Sequence, residues 1–269
     1  MVLNYKSPAK VNLFLKILDK RSDGYHNIQS IFQLIDLYDE ISLKERKDSL
    51  IKFRCTNKKI EKNNIIKKSI DSFLKYTKVR KKGIDIFLKK NIPIGSGLGG
   101  GSSNAATCLL ALNDLYNTRL TLTKLASIGK KIGSDVPFFI YNKNAWVEGM
   151  GDIVTPIYVK PAWFILIFGE HSISTSEIYS SFKKKSYSNS YSYDNYLFDD
   201  MRNDFENVVF KKYPKIHKSH KCLSKYGKAR MTGTGGTIFL RQSSFEDAKK
   251  VISLLPKNEN AIVIKSLDI

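Results

Sequence analysis

The chain has 269 residues, 42% of them hydrophobic, with 15 Phe, 14 Tyr and 2 Trp, enough for one large domain or two packed lobes around a real core. No apolar run has the length needed to cross a bilayer, and three scattered cysteines, Cys55, Cys108 and Cys222, form neither a metal spacing nor a disulfide framework. The net charge of +20 comes from lysines spread along the whole chain, not clustered with aromatics, so it reads as composition and not as a nucleic-acid surface, while still favouring phosphorylated ligands.

The opening Met-Val-Leu-Asn-Tyr-Lys lacks the basic start and apolar middle of a signal peptide, so a cytoplasmic protein is expected. Residues 11–17 alternate, with Val11, Leu13, Leu15 and Ile17 opposite Asn12, Phe14 and Lys16, which predicts a strand. Lys10 stands at its expected start. It is either a solvated surface lysine or a fixed cation for a phosphate or a reacting hydroxyl. Asp23-Gly24 marks a turn. Residues 31–43 predict more strand, and 44–64 a charged connection around a short strand at Ile51 and Phe53. A helix is expected after Asn63-Asn64, carrying Ile65, Ile66, Ile70, Phe73 and Leu74. Ile84, Ile86 and Leu88 alternate as a strand that leads to Pro93.

Residues 93–106 read Pro-Ile-Gly-Ser-Gly-Leu-Gly-Gly-Gly-Ser-Ser-Asn-Ala-Ala, just before an apolar helical run. Glycines permit positive φ and let a bulky anion approach the backbone. Several N–H groups then face one concavity beside a helix N-terminus, which predicts a phosphate there. The string is not a Walker A loop, since Gly101 is followed by Ser102 and Ser103 with no lysine. Nor does an acidic residue stand where a dinucleotide fold would hold a ribose.

The following helix is expected to end near Asn113 or Asn117. Another begins at Thr121–Thr123 and ends at Gly133, taken as a C′ glycine. Asp135 in Gly133-Ser134-Asp135-Val136-Pro137 then precedes an apolar stretch expected to be a strand. It is either a turn residue or a group that orients a hydroxyl. Ala162–Phe168 predicts a buried strand, and residues 183–196, poor in aliphatics, a mobile loop. Helices are expected near 203–213 and 216–226, a strand at Thr237–Leu240, a helix at Phe245–Leu255 and a last strand at Ala261–Ile264. The glycines of Met231-Thr232-Gly233-Thr234-Gly235-Gly236 form either a hairpin turn or a second phosphate approach. His217 and His220 lie three apart with no third ligand nearby, which favours a solvated face. Strands and helices mixed without a βαβ repeat predict an α+β fold.

Taken in order, Ser-Pro-Ala-Lys-x-Asn (7–12), the glycine string (93–103), Gly-x-Asp-Val-Pro (133–137) and Thr-Gly-Thr-Gly (232–235) resemble the kinases named for galactokinase, homoserine kinase, mevalonate kinase and phosphomevalonate kinase, the GHMP family. The likeness runs from Ser7 to about Leu240. Asp23-Gly24-Tyr25-His26 and Gly99–Ala106 narrow it to the branch whose acceptor is a cytidylyl sugar alcohol. A sister kinase for homoserine or mevalonate is the alternative. The resemblance implies a two-lobed α+β molecule, an ATP-binding lobe over 1–154 and a second lobe over 155–269, with the active site in the cleft between them. It implies that Pro93, Ile94, Gly95, Ser96, Gly97, Leu98, Gly99, Gly100, Gly101, Ser102 and Ser103 wrap the ATP phosphates and that Asn64 sits by the adenine. Lys10 and Asp135 would be catalytic. Asn12 would help hold Lys10 and the acceptor, Tyr25, His26 and Phe32 would line the cytidine pocket, and Thr175 and Tyr179 would close it. Mg²⁺ is expected with the ATP, its protein ligands unassigned beyond Ser102 or Ser103. Ser96, where the family shows glycine or alanine, requires a negative φ, and Tyr179 in place of phenylalanine keeps the stacking face.

Overall fold

The computed structural model describes residues 2–61, 64–80, 82–169, 172–182, 190–191 and 202–268. The segment 183–196 therefore lies outside the described residues, except Ser190 and Tyr191. The chain divides into two compact units, and its first two strands, β1 (Val2–Lys20) and β2 (His26–Arg46), each contribute to both.

One unit comprises the residues up to Ala9, Leu37–Ile92 and Gly99–Asn142. Here the second half of β2 pairs antiparallel with β4 (Gly83–Lys89), and β4 pairs in parallel with β3 (Ile51–Cys55). The alternation of Ile84, Ile86 and Leu88 buries all three on one face. Four helices complete this unit: α1 (Ile65–Thr77), α2 (Gly100–Leu115), α3 (Leu122–Lys130) and α4 (Val136–Tyr141). Asn64 caps α1 by accepting the Ile66 N–H at 2.9 Å, and Ile66, Ile70 and Phe73 form its buried stripe. Helix α2 is built of Ala105, Ala106, Leu109, Ala111 and Leu112, all buried, and packs between α1 and α4.

Two expectations fail in this unit. Val136–Tyr141 is a helix and not a strand. Its six apolar residues carry no period that separates a buried helix from a buried strand, and Pro137 in the first turn, where no donor is needed, tips the balance. Helix α3 is capped by Lys131, and Gly133 is absent from the positive-φ glycines, so it is no left-handed C′ residue.

The other unit comprises Lys10–Asp36, Pro93–Leu98 and Lys143–Ile269. The first half of β2 pairs with β5 (Ala145–Glu148), and β5 with β6 (Ile153–Pro156), both antiparallel. A second sheet runs β10 (Ala261–Lys265), β7 (Trp163–Phe168), β9 (Thr237–Gln242), β8 (Arg230–Met231), all antiparallel. Helix α8 (Phe245–Leu254) packs on β7, β9 and β10, and α7 (Pro214–Leu223) on β9. Two shorter helices, α5 (Thr175–Ser181) and α6 (Glu206–Lys212), precede them in sequence. Leu15, Ile17 and Ile28 join Ile165, Ile167, Phe205, Val209, Met231 and Ile238 in one core. None of the described helices is long and apolar enough to cross a membrane.

Candidate active site

The glycine string is shared between the units, Pro93–Leu98 in one and Gly99–Ser103 in the other. In the second unit, Gly95 and Gly97 lie against backbone. A Cβ on Gly97 (φ +79°) would stand 2.2 Å from the Thr232 carbonyl oxygen, and one on Gly233 would stand 2.9 Å from the Gly97 carbonyl oxygen. A Cβ on Gly236 would meet the Gly95 carbonyl oxygen at 2.6 Å. The two glycine clusters of the sequence are thus packed main chain to main chain, and that contact, not a ligand, demands glycine at 97, 233 and 236. The second cluster is also the connection of the β8–β9 hairpin. Ser96 is not among the positive-φ residues, as its identity requires, and its hydroxyl donates to the Pro93 carbonyl at 2.7 Å.

Lys10 lies midway along β1, not at a strand start, and is 3% exposed. Its backbone N–H donates to the Leu98 carbonyl at 3.1 Å, which fastens the loop to the strand. Its ammonium donates to Asn12 Oδ1 and lies 4.3 Å from the centroid of the buried Phe32 ring. Asn12 Nδ2 donates to Ser30 Oγ at 3.0 Å, and the Asn12 N–H donates to Thr232 Oγ1 at 2.9 Å. The Thr232 hydroxyl proton has two acceptors in reach, Gly97 O at 3.2 Å and Asn12 Oδ1 at 3.3 Å. A buried cation is thereby held at the end of a chain of ordered polar groups.

In the same unit His26 lies under the side chains of α5 and the stretch after it. Its ring is 5.4 Å from that of Tyr179 and 6.2 Å from that of Phe182. Burial pushes its pKa below the ordinary value, with a smaller contribution from Lys20. Its Nδ1 is buried and has no hydrogen-bond partner among the described residues, the state of a group that a ligand would satisfy. Thr175 Oγ1 is 3.0 Å from Thr234 Oγ1. Tyr25 is not gathered in: it sits in the turn after Asp23 and is 64% exposed.

In the first unit, Gly99 (φ +72°) precedes α2, and no side chain caps the helix. A Cβ on Gly101 would meet nothing within 4 Å, so the space beside that residue is open, whereas one on Gly100 would stand 2.9 Å from Ile92 Cγ2. The N-terminal N–H groups of α2 have no side-chain cap and lie at the positive end of the helix dipole. Ser103 is committed to Ser7, its hydroxyl 2.7 Å away, whereas Ser102 is only partly buried. Asn64 uses its carbonyl oxygen as the α1 cap. Asp135 precedes α4, partly buried, with the Ser134 hydroxyl donating to Oδ1 at 3.4 Å.

A buried hub behind the loop escapes sequence inspection. Asp39, fully buried, accepts the N–H groups of Asn91 at 2.7 Å and Ile92 at 2.9 Å, Asn104 Nδ2 at 2.8 Å and the Lys90 ammonium. Asn104 also donates to Ser7 Oγ at 3.0 Å. One carboxylate therefore ties the residues just before Pro93 to Asn104, near the start of α2. Only long-range pairing distinguishes this aspartate from the others, and no local spacing marks it. Tyr191 is likewise unmarked. The Gln29 side chain accepts its N–H at 2.7 Å and donates to its carbonyl at 3.2 Å, and the Lys16 ammonium lies 3.7 Å from its ring centroid.

The family models "GHMP kinases N terminal domain" and "GHMP kinases C terminal" match residues 64–143 and 188–260. A protein of Buchnera aphidicola subsp. Schizaphis graminum named 4-diphosphocytidyl-2-C-methyl-D-erythritol kinase is 42% identical, over 100% of this chain and 94% of its own length. This chain belongs to the GHMP kinase family. A protein of the same name from Colwellia psychrerythraea is 35% identical, over 99% of this chain and 90% of its own length. Among solved structures, that of a 4-(cytidine 5'-diphospho)-2C-methyl-D-erythritol kinase superposes with a TM-score of 0.85 at 25% identity, covering 98% of this chain and 99% of that one. A mevalonate kinase superposes at 0.71 with 18% identity over 99% of this chain, a likeness of fold. As a GHMP kinase, the chain has the two-part α+β architecture of that family.

Proposed function

We propose that this GHMP kinase transfers the γ-phosphoryl group of ATP to the 2-hydroxyl of 4-diphosphocytidyl-2-C-methyl-D-erythritol, a step in isoprenoid precursor synthesis. One observation carries the assignment: identity of 35–42% over essentially the whole length to proteins of that name, against 18% for the mevalonate kinase. The buried histidine among aromatic rings, one ring nitrogen unsatisfied, supports an acceptor with a heteroaromatic base.

Phosphoryl transfer asks a protein for positioning and charge stabilisation more than for covalent chemistry. The N–H groups at the start of α2 and the loop Pro93–Ser103 would hold the phosphates. Lys10, pinned by Asn12, would meet the charge that develops on the transferring group. Asp135 would orient the acceptor hydroxyl and take its proton. His26, Phe32, Thr175 and Tyr179 would receive the cytidine part, Tyr25 would turn in from its exposed position to join them, and Asn64, already a helix cap, would offer its amide edge to the adenine.

Among the described residues no three His, Cys, Asp or Glu side chains cluster to hold a metal. Mg²⁺ would be carried in on the ATP, an ion that keeps several waters and needs one or two protein oxygens. Ser102, whose hydroxyl is not spent on Ser7, would supply one. The ion would neutralise phosphate charge during transfer. The division at 1–154 and 155–269 belongs to the same proposal and is supported by the gap between the two matched ranges. A cytosolic location, where ATP is plentiful and the three free cysteines stay reduced, goes with it.

The test is an assay of ADP release with the cytidylyl-methylerythritol substrate beside mevalonate and homoserine. A specificity constant at least about a hundredfold higher for the first is expected. Preference for either simple alcohol overturns the assignment.

A further inference from the structure

The segment Arg202–Glu206 contains no residue that the kinase assignment uses, yet it is stitched into the machinery at six points. The Leu15 N–H donates to the Arg202 carbonyl at 3.1 Å, and the Asp204 N–H donates to the Leu15 carbonyl at 2.8 Å. Asp204 Oδ2 accepts the Ile17 N–H at 2.9 Å. The segment is thus fixed on β1, the strand that carries Lys10 and Asn12. Glu206 Oε1 accepts the Met231 N–H at 2.9 Å. Asn203, 3% exposed, reaches from this base with both protons of its amide: Nδ2 donates to the Met231 carbonyl at 2.9 Å and the Gly233 carbonyl at 2.7 Å. Its Oδ1 accepts the Phe205 N–H at 3.0 Å, so no polar atom of the side chain is idle.

The two carbonyls held by Asn203 flank Thr232, whose hydroxyl both accepts from the Asn12 N–H and lies within reach of Asn12 Oδ1, the acceptor for the Lys10 ammonium. We infer that Asn203 is a positioning residue for phosphoryl transfer: by clamping the main chain on both sides of Thr232 it fixes the hydroxyl that orders Asn12, and through Asn12 the Lys10 ammonium. Only asparagine or glutamine gives two donors from one nitrogen together with an acceptor, and the shorter one fits a span within one turn of its own backbone. An aspartate of the same shape would turn a carboxylate oxygen toward two carbonyl oxygens, leaving both acceptors unmet in a buried site. The kinetic consequence rests on the kinase assignment, whereas the consequence for Lys10 rests on geometry alone.

The test therefore reads both. Acylation of lysine amines in the full chain, followed by mass spectrometry, compares Lys10 with Lys16, which lies on the same strand and is also nearly buried, at 8% exposed. In Asn203→Ser we expect labelling of Lys10 to rise about fivefold or more while Lys16 stays at its wild-type rate, and kcat to fall about tenfold with KM for ATP within about twofold. Adding Thr232→Val to Asn203→Ser is expected to cost nothing further, since both act on one path. Thr232→Ser, which keeps the hydroxyl, is expected to retain wild-type protection of Lys10. Asn203→Asp carries the same expectation as Asn203→Ser and takes its place if the serine variant does not fold. Lys10 and Lys16 rising together, an unchanged Lys10, or losses that multiply in the double variant would overturn the inference. A wild-type chain with no turnover of the cytidylyl alcohol sinks the kinase specificity instead, and the labelling comparison still decides the role of Asn203.

Discussion

Gly97 and Gly101 sit four positions apart in one glycine string and do different work. At Gly97 the φ is +79° and a Cβ would stand 2.2 Å from a backbone oxygen that cannot swing away. Gly97→Ala is therefore expected to lower the melting temperature by several degrees, about 2 kcal/mol or more, measured by thermal unfolding of the apo protein. At Gly101 a Cβ meets nothing, and the residue lies within helical geometry where alanine is preferred to glycine. Gly101→Ala should leave the melting temperature unchanged or slightly raised, yet raise KM for ATP about tenfold, because the methyl fills the space that the phosphates would take. An unchanged KM in that variant removes the helix start from the phosphate site. Lys10→Ala is expected to act mainly on kcat, and Asp135→Asn to abolish turnover while nucleotide binding, followed by calorimetry, stays within about threefold. Near-normal turnover in Asp135→Asn removes that carboxylate from the chemistry.

Helix α2 and strand β4 were legible because their patterns are local. The 84-86-88 alternation and the alanine-leucine run after the glycines each declare their element without help from the rest of the chain. Helix α4 was not, since six apolar residues fit either a buried strand or a buried helix, and only packing against α2 and α3 decides. The candidate site divides in the same way. Lys10, Asp135 and the glycine string through Asn104 stand in recognisable strings, but Asp39 and Asn203 act through partners dozens of residues distant, which no spacing records. Asp39 shows what such a residue contributes. Its carboxylate, fully buried, satisfies two backbone donors, an amide and the nearly buried Lys90 ammonium. Asp39→Ala leaves that ammonium without its counter-charge and should cost about 3–5 kcal/mol in denaturant unfolding. Pairing it with Lys90→Met, which removes the stranded charge, should restore about half of the loss. A cost under about 1 kcal/mol for Asp39→Ala would mean that the hub is not what fastens α2 to the loop.

The net charge of +20 distinguishes two kinds of cation in the whole molecule. Most of the 45 basic residues are spread along the surface, where a Debye length of about 10 Å at 0.1 M salt screens them. Lys10 and Arg230 are nearly buried, at 3% and 5% exposed, as is the side chain of Lys90 at 7%, and bulk ions reach them far less. If surface charge only steers a triphosphate toward the protein, its effect belongs to the encounter and fades once the field is screened. Then kcat/KM for ATP should fall a few-fold as salt rises from about 0.01 to about 0.15 M and level off beyond that, with kcat flat throughout, because the nearly buried Lys10 would still meet the bound phosphates. A decline that continues in proportion up to about 1 M salt would instead place the phosphates among exposed lysines, the behaviour of a polyanion-binding surface. The same titration with Gly101→Ala separates the two sources. Steering by the whole field should survive the added methyl, so the variant's curve should run parallel to that of the wild type, displaced downward at every salt concentration by the loss at the helix start.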